Sequence, residues 1–198
     1  MLEGEQSLRV AVTKSNRFGQ AAVLPPEQLK QLWAELDQPY RIICEMAYFT
    51  AARVGEVVQL QAKDIQGDRI IYRATTTKTR TTKTATIPRQ LLSILAAADL
   101  PSAGYLFPSS GTKGHITTRA VDKHLRRAAD LLGFDGVGLH SFRRSQATHL
   151  HQAGVPLRAI QRITGHKSLS DLERYLDISG AEAAASQQAA LDSQWEVG

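Results

Sequence analysis

The stretch that decides the fold class runs from residue 69 to residue 88 and reads RIIYRATTTKTRTTKTATIP. Isoleucine, tyrosine and threonine dominate it, and these residues favour strands over helices. We interpret it as two antiparallel strands joined by a tip near Lys78 to Thr81. It is the one clear β region of the chain, so the sequence predicts a mainly α protein with a small antiparallel β-sheet, an α+β fold.

On both sides of this hairpin, apolar residues recur at helical spacing. Before it, Pro25 and Pro26 open a helix, and a more apolar helix is predicted at about residues 39–51, in the centre of the core. After it, helices are predicted at 89–98, 117–132, 141–152, 157–164, 170–176 and 181–195. Ser170 and Glu173 form an S-x-x-E pattern that is typical of a capping box, so we expect the 170–176 helix to begin at Ser170.

The length and composition are those of one globular domain. The chain has 198 residues, of which 42% are hydrophobic and 22% charged. We assign residues 1–24 to a polar linker, 25–178 to the domain and 179–198 to an alanine-rich helical tail. There is no apolar run of the roughly 18 residues that a membrane span needs and no signal-peptide pattern, so we expect a cytoplasmic protein with no membrane partner. Cys44 is the only cysteine and lies in an apolar run, which predicts a buried thiol.

The charge is unevenly distributed along the sequence. The net charge is +5, yet the segment from Leu176 onward has four acidic residues and no lysine or arginine. The rest of the chain is therefore basic. We expect a polyanion to be attracted to the basic part and repelled by the tail.

Two arginines occupy positions where a cation needs an explanation. Arg143 falls on the apolar side of its predicted helix, in line with Ala147, and His140 lies at the N-terminus of that helix. Arg53 directly follows an apolar helix. Each arginine is explained either by an ion pair, such as Arg53 with Glu56, or by a bound phosphate, which guanidinium groups grip with two hydrogen bonds.

Other polar residues, taken one at a time, can be explained without a functional role. Tyr175 in a short helix is by itself a half-buried core residue, and Lys78 at a hairpin tip is an exposed surface lysine. His149 and His151 are two residues apart, so they point away from each other on a helix, and no cysteine or carboxylate cluster accompanies them. We therefore expect no metal site, and the sequence has no phosphate-binding glycine loop.

Taken in order, these segments resemble the tyrosine recombinases, also called the phage integrase family. TAARVGEVVQL is similar to the first arginine box of the family, HSFRRSQATHL to its H-x-x-R box, and TGHKSLSDLERY to its G-H box with the nucleophile. The resemblance extends from about Leu24 to Ile178. It implies the catalytic-domain fold of the DNA breaking-rejoining enzymes.

The resemblance also implies a role for each matched residue. Six residues form the implied catalytic set: Arg53, Lys78, His140, Arg143, His166 and Tyr175. Tyr175 attacks the scissile phosphate and forms a 3′-phosphotyrosine, the two arginines clamp the phosphate, and the histidines handle protons, with His140 favoured as the acceptor of the tyrosine proton. Lys78 protonates the leaving 5′-oxygen, and Glu56 orients Arg53. No metal, ATP or other cofactor is implied.

The chain departs from the family pattern at three points. The hairpin tip lacks the usual glycine, so the general acid is either Lys78, which lies nearer the tip, or Lys83. Arg144 stands where the family usually has a histidine next to the second arginine. The N-terminal helical domain that completes a clamp around DNA is missing from these 198 residues, so the chain is expected to be either a natural single-domain member or a fragment. Further phosphate contacts are predicted for Arg80, Lys83, Arg144 and Lys167.

These features favour a site-specific recombinase or integrase that acts on double-stranded DNA as a homo-oligomer, expected to be a tetramer, with an accessory DNA-binding protein as a further candidate partner. The acidic tail is expected either to dock on a neighbouring protomer or to pack on its own domain. Two alternatives stay open: a type IB topoisomerase-like enzyme that relaxes DNA, and a DNA-binding regulator with a vestigial active site.

Overall fold

The computed structural model describes residues 20–77, 80–176, 188–189 and 191–192. It divides the chain into two compact units, residues 1–146 and residues 147–198. The division falls inside one helix, between Gln146 and Ala147. Each unit has its own cluster of buried apolar side chains.

The first unit is mainly helical. Its helices are α1 (Pro26–Ala34), α2 (Tyr40–Phe49), α3 (Val54–Val57), α4 (Arg89–Ala97), α5 (Thr118–Leu132) and the start of α6 (Ser141–Gln152), with a 3-10 helix at Ala62–Asp64. The α2 helix is the central one, as its apolar sequence predicts, because it has six buried residues in a row, from Ile42 to Ala47. Cys44 is among them and is fully buried, which confirms the expectation from its sequence.

The predicted hairpin is present and belongs to a three-stranded antiparallel sheet. Its strands are β1 (Ile65–Gln66), β2 (Arg69–Tyr72) and β3 (Lys83–Thr86), in that order, with Ile70 opposite Ala85. The buried face of β2 carries Ile70 and Tyr72, which alternate with more exposed neighbours. The mainly α fold with a small antiparallel sheet is therefore confirmed. The two-residue strand β1 was not predicted, because so short a strand leaves no alternating pattern in the sequence.

The second unit contains the end of α6, then α7 (Leu157–Thr164) and α8 (Leu169–Leu176). Its buried cluster comprises Ala147, Ile160, Leu172 and Leu176, with Tyr175 and four partly buried residues packed around it. The predicted capping box at Ser170 is wrong. The α8 helix begins one residue earlier, and the cap is Ser168, whose Oγ accepts a hydrogen bond from the Asp171 amide at 3.1 Å.

Two further expectations concern the ends of the chain and the membrane. The tail helix predicted for residues 181–195 lies largely outside the described residues, apart from two short helical pieces at 188–189 and 191–192. Within the described part of the chain, no helix has both the length and the apolar character needed to cross a membrane. The division into linker, domain and tail stays a prediction.

Candidate functional site

The C-terminus of α2 is the point in the first unit around which the candidate residues gather. Thr50 caps this helix, and its Oγ1 donates to the Met46 carbonyl oxygen at 2.7 Å. Because that hydroxyl has only one proton, the Tyr72 hydroxyl is the donor in its 2.8 Å contact with Thr50 Oγ1. Ala51 follows with a φ of +48°, so the chain turns sharply here. Helix carbonyl oxygens carry partial negative charge at this end, which attracts cations.

Arg143 reaches this helix end from α6. The residue is only 2% exposed, and its Nη1 donates to the Ala51 carbonyl oxygen at 2.8 Å. The prediction that Arg143 lies on the buried side of its helix is therefore confirmed. A buried guanidinium has five N–H donors, and a carbonyl oxygen supplies no countercharge. An anionic ligand at this position would supply both acceptors and a countercharge for the guanidinium.

Lys83, the first residue of β3, reaches the same helix end from the sheet. Its Nζ donates to the Thr50 carbonyl oxygen at 3.3 Å and lies 5.7 Å from the centre of the Tyr72 ring. Burial and, after it, the positive charges of Arg143 and Arg53 lower the pKa of Lys83 to about 7, while the carboxylate of Glu56 acts in the opposite direction. An ammonium group with such a pKa can release its proton near neutral pH.

Arg53 is held next to this point by Glu56, at the start of α3. The Glu56 carboxylate is buried and accepts both from the Arg53 backbone amide and from Arg53 Nη1, each at 3.0 Å. It therefore caps α3 and fixes the guanidinium with the same group. The Arg53 side chain keeps 28% exposure, so it can still meet a ligand. The ion pair with Glu56 that the sequence suggested is therefore present.

Together, three cations with one carboxylate meet around residues 50–53. They come from the residue before α3, from β3 and from α6, which are far apart in the sequence. Such a cluster can hold a phosphate group and stabilise additional negative charge on it. Among the described residues there is no group of histidine, cysteine and carboxylate side chains that could hold a metal ion.

His140 directly precedes α6 and is exposed. Its carbonyl oxygen accepts from the Arg144 amide at 3.0 Å. The residue lines a groove of about 710 Å³ that follows one side of α5, where Thr118, Arg119 and Arg126 also line it. His140 is thus an exposed residue on the wall of this groove, and its role in proton transfer stays a prediction.

The second unit brings His166 and Tyr175 together. The two rings are 4.9 Å apart between centroids and tilted by 55°. His166 follows the end of α7, while Tyr175 is half-buried on α8 and packs against the apolar cluster of this unit. His166 and Tyr175 are nine positions apart in the sequence, and their side chains are adjacent in the structure.

The residues predicted to contact DNA phosphates differ in exposure. Arg80 and Lys167 are exposed. Arg144 is 7% exposed, and its Nη1 donates to the Ala21 carbonyl oxygen at 2.6 Å, which ties the segment before α1 to α6. This arrangement is that of a structural arginine, and its contact with DNA stays a prediction. Lys78 lies outside the described residues, so its predicted role is likewise untested.

A basic face on α5 was not singled out from the sequence. Its exposed residues Arg119, Lys123, Arg126 and Arg127 are spaced to share one side of the helix, opposite the buried Val121, Leu125 and Ala128. One of them, Arg126, is paired with Asp122 at 2.8 Å. A helical-wheel projection of TRAVDKHLRRAADLL would have revealed this face, because the cations follow the helical period.

The sequence matches the phage integrase family over residues 22–182. A putative integrase/recombinase, y4qK of Sinorhizobium fredii, is 31% identical over 168 residues, which cover 82% of this chain and 54% of the relative. The tyrosine recombinase XerD of Caulobacter vibrioides is 29% identical over 198 residues, covering 91% of this chain and 65% of the relative. The chain thus spans about half the length of the first of these relatives and about two thirds of the second.

Solved structures show the same fold. The XerA recombinase has a TM-score of 0.67 at 20% identity, with 86% of this chain and 65% of that chain covered. The catalytic domain of the bacteriophage HP1 integrase has a TM-score of 0.62 at 21% identity, with 88% of this chain and 98% of that domain covered. The fold and the sequence agree, and the chain belongs to the phage integrase family.

Proposed function

We propose that this chain cuts and rejoins DNA strands in site-specific recombination. The observation that carries the proposal is the convergence of Arg53, Lys83 and Arg143 at the end of α2. Two guanidinium groups and an amine in one partly buried place, with the single carboxylate of Glu56, leave an excess of positive charge that a phosphodiester would offset. Family membership supports the same reading.

The reaction is a transesterification. The Tyr175 hydroxyl oxygen attacks the phosphorus as its proton passes to one of the histidines, and the bond from phosphorus to the 5′-oxygen breaks. The DNA is then held through a 3′-phosphotyrosine, and the leaving strand has a 5′-hydroxyl. Attack by a 5′-hydroxyl on the phosphotyrosine restores a phosphodiester. Because the ester bond is exchanged rather than hydrolysed, the cycle needs neither ATP nor a metal.

The residues gathered at the end of α2 each have a part in this step. Arg143 and Arg53 stabilise the non-bridging oxygens of the pentavalent state, with Glu56 keeping Arg53 in place. Lys83 is our candidate for the general acid that protonates the 5′-oxygen, because its placement and its pKa of about 7 both fit the task. Lys78, favoured by its position at the hairpin tip, is the alternative.

Double-stranded DNA is the proposed partner. The basic face of α5, together with Arg80 and Lys167, supplies exposed cations for its phosphates. Solved relatives include the Tn1549 transposon integrase in complex with circular intermediate DNA. Assembly into a tetramer on DNA, docking of the tail on a neighbouring protomer and an accessory DNA-binding protein stay predictions, as does a cytoplasmic location.

The test is to incubate the protein with nicked duplex DNA, in which loss of a short fragment traps the covalent product. We expect a protein–DNA adduct with wild type in the presence of a chelator and without ATP, and no adduct with Tyr175→Phe. Tyr105→Phe is the matched control, because Tyr105 and His115 form a ring pair with the same separation of 4.9 Å and the same tilt of 55°. An adduct with Tyr175→Phe would overturn the assignment.

The same experiment separates the two alternatives. A regulator with a vestigial site gives no adduct even with Tyr175 intact. A topoisomerase-like enzyme gives the adduct and relaxes supercoiled DNA but does not join strands from different duplexes. Joined strands from two labelled duplexes are the result that the recombinase proposal requires.

A further inference from the structure

Thr164 and His166 face each other across the turn that ends α7. Gly165 lies between them with a φ of +71°, a left-handed conformation that glycine adopts without steric cost. The turn brings the imidazole back to the last turn of the helix, where Nδ1 is 2.7 Å from Thr164 Oγ1. Gln161 Nε2 donates to the His166 carbonyl oxygen at 3.1 Å. Both the backbone and the ring of His166 are therefore anchored.

The single proton of the Thr164 hydroxyl decides the protonation of the ring. Oγ1 lies 2.8 Å from the Ile160 carbonyl oxygen, which can only accept a hydrogen bond. Two oxygen atoms at this distance need a proton between them, so the hydroxyl donates to Ile160, as threonine commonly does in helices. Its lone pair then accepts from His166, whose Nδ1 must carry a proton. Thr164 is 1% exposed, so its hydroxyl is buried, and the contact with His166 is partly buried.

We propose that Thr164 is a positioning residue that holds His166 in the Nδ1–H tautomer and thereby makes Nε2 the ring nitrogen that takes the Tyr175 proton. The inference rests on the proposed function, because it concerns the activation of the Tyr175 hydroxyl. It assigns the acceptor part to His166, where the sequence favours His140. Thr164 touches neither Tyr175 nor DNA in this assignment and acts only through the histidine.

The chemistry of the step follows from the tautomer. A neutral imidazole with Nδ1 protonated has its lone pair on Nε2. As the bond from the tyrosine oxygen to phosphorus forms, Nε2 accepts the phenol proton and the ring becomes a cation that donates from both nitrogens. The opposite tautomer has no acceptor at Nε2. It would also place the Nδ1 lone pair against a hydroxyl whose proton is already used by Ile160.

The tautomer can be measured directly by nitrogen NMR of the full-length chain labelled at histidine. At about pH 8.5, where imidazoles are mostly neutral, the ring nitrogen shifts distinguish a protonated from an unprotonated nitrogen, and His166→Gln identifies the signals. We expect Nδ1–H in wild type and in Thr164→Ser, and a mixture of tautomers in Thr164→Val. A wild-type His166 with the proton on Nε2 would overturn the proposal.

Cleavage of nicked DNA provides the second readout. We expect Thr164→Val to lower the rate constant for adduct formation by roughly 3- to 10-fold, the effect of losing one hydrogen bond, and Thr164→Ser to restore it. Thr148→Val is the control, because the buried Thr148 hydroxyl makes no hydrogen bond within the described part of the chain. Equal rates for Thr164→Val and wild type would overturn the positioning role. If wild type forms no adduct, the proposed function fails, and the nitrogen shifts alone decide the role of Thr164.

Discussion

The ammonium group of Lys83 lies 3.3 Å from the carbonyl oxygen of Thr50 and donates a hydrogen bond to the end of α2. The pair joins the sheet to the central helix of the first unit. It also places a lysine next to Arg143, the charge that helps burial to lower its pKa to about 7. The same contact therefore has a consequence for stability and one for chemistry.

The consequence for stability is a dependence on pH. Between about pH 7 and 10.5, Lys83 is deprotonated in the folded protein and protonated in the unfolded chain, so the unfolded chain binds more protons. Stability then increases as the pH rises through this range. We expect urea denaturation to give a higher free energy of unfolding at about pH 9 than at about pH 7, and a smaller rise in Lys83→Met. An equal rise in the two proteins would contradict the lowered pKa.

The consequence for chemistry concerns the leaving group. When sulfur replaces the bridging 5′-oxygen of the substrate, the cleaved strand leaves as a thiolate. Because a thiol has a pKa of about 8.5, this leaving group needs no general acid. We expect Lys83→Met to cleave ordinary DNA at least about 100-fold more slowly than wild type and to cleave the sulfur substrate at a rate close to wild type.

Lys78→Met is the matched comparison for that experiment. If Lys83 is the general acid, Lys78→Met loses little on either substrate. The reverse pattern, with sulfur rescuing Lys78→Met and not Lys83→Met, would assign the general acid to Lys78 and leave Lys83 a structural cation.

Glu56 has a structural counterpart in Asp64, which allows its role to be separated from stability. Each buried carboxylate caps a short helix and pairs with an arginine: Asp64 accepts from the Gln61 amide at 2.9 Å and lies 3.1 Å from Arg73 Nε. We expect both Glu56→Ala and Asp64→Ala to lower the free energy of unfolding by about 2 kcal/mol. Only Glu56→Ala should also slow cleavage per folded molecule, by roughly 10-fold or more. Equal cleavage by the two variants would make Glu56 purely structural.

Arg144 and Lys167 give opposite expectations for DNA binding. Lys167 is exposed, and neutralising one phosphate contact changes the slope of log affinity against log salt by about 0.9. We expect Lys167→Ala to reduce the slope by that amount. Arg144→Met should leave the slope unchanged and lower stability instead, because it removes the hydrogen bond to Ala21. A reduced slope in Arg144→Met at full folding would restore the phosphate contact that the sequence predicts for it.

The sequence predicted the parts of this fold that depend on local pattern. Three such features were predicted correctly: the helical spacing of α5, the β-forming run that includes Ile70, and the place of Arg143 on the apolar side of α6. The family pattern named the site residues, because their spacing along the chain is itself the signal.

What the sequence left open depends on contacts between distant residues. Lys83 and Thr50 are 33 positions apart, and no local pattern indicates that one donates to the other. Arg144 and Ala21 are 123 positions apart, so no local pattern indicates that Arg144 donates to the Ala21 carbonyl oxygen. The Ser168 cap was missed for a smaller reason, since Ser168 and Ser170 both suit a helix start and only the backbone geometry distinguishes them.

Arg80 combines a strained backbone with an exposed charge. Its φ is +53°, a left-handed conformation that costs a residue with a Cβ about 1 kcal/mol more than glycine. We expect Arg80→Gly to raise the free energy of unfolding by about 0.5–1 kcal/mol and, if Arg80 contacts a phosphate, to weaken DNA binding with a salt slope lower by about 0.9. Arg80→Asn should weaken binding equally with a smaller gain in stability, because asparagine tolerates this conformation better than arginine. Denaturation and binding titrations on the three proteins check both effects, and a less stable Arg80→Gly would mean that the arginine side chain holds the hairpin together.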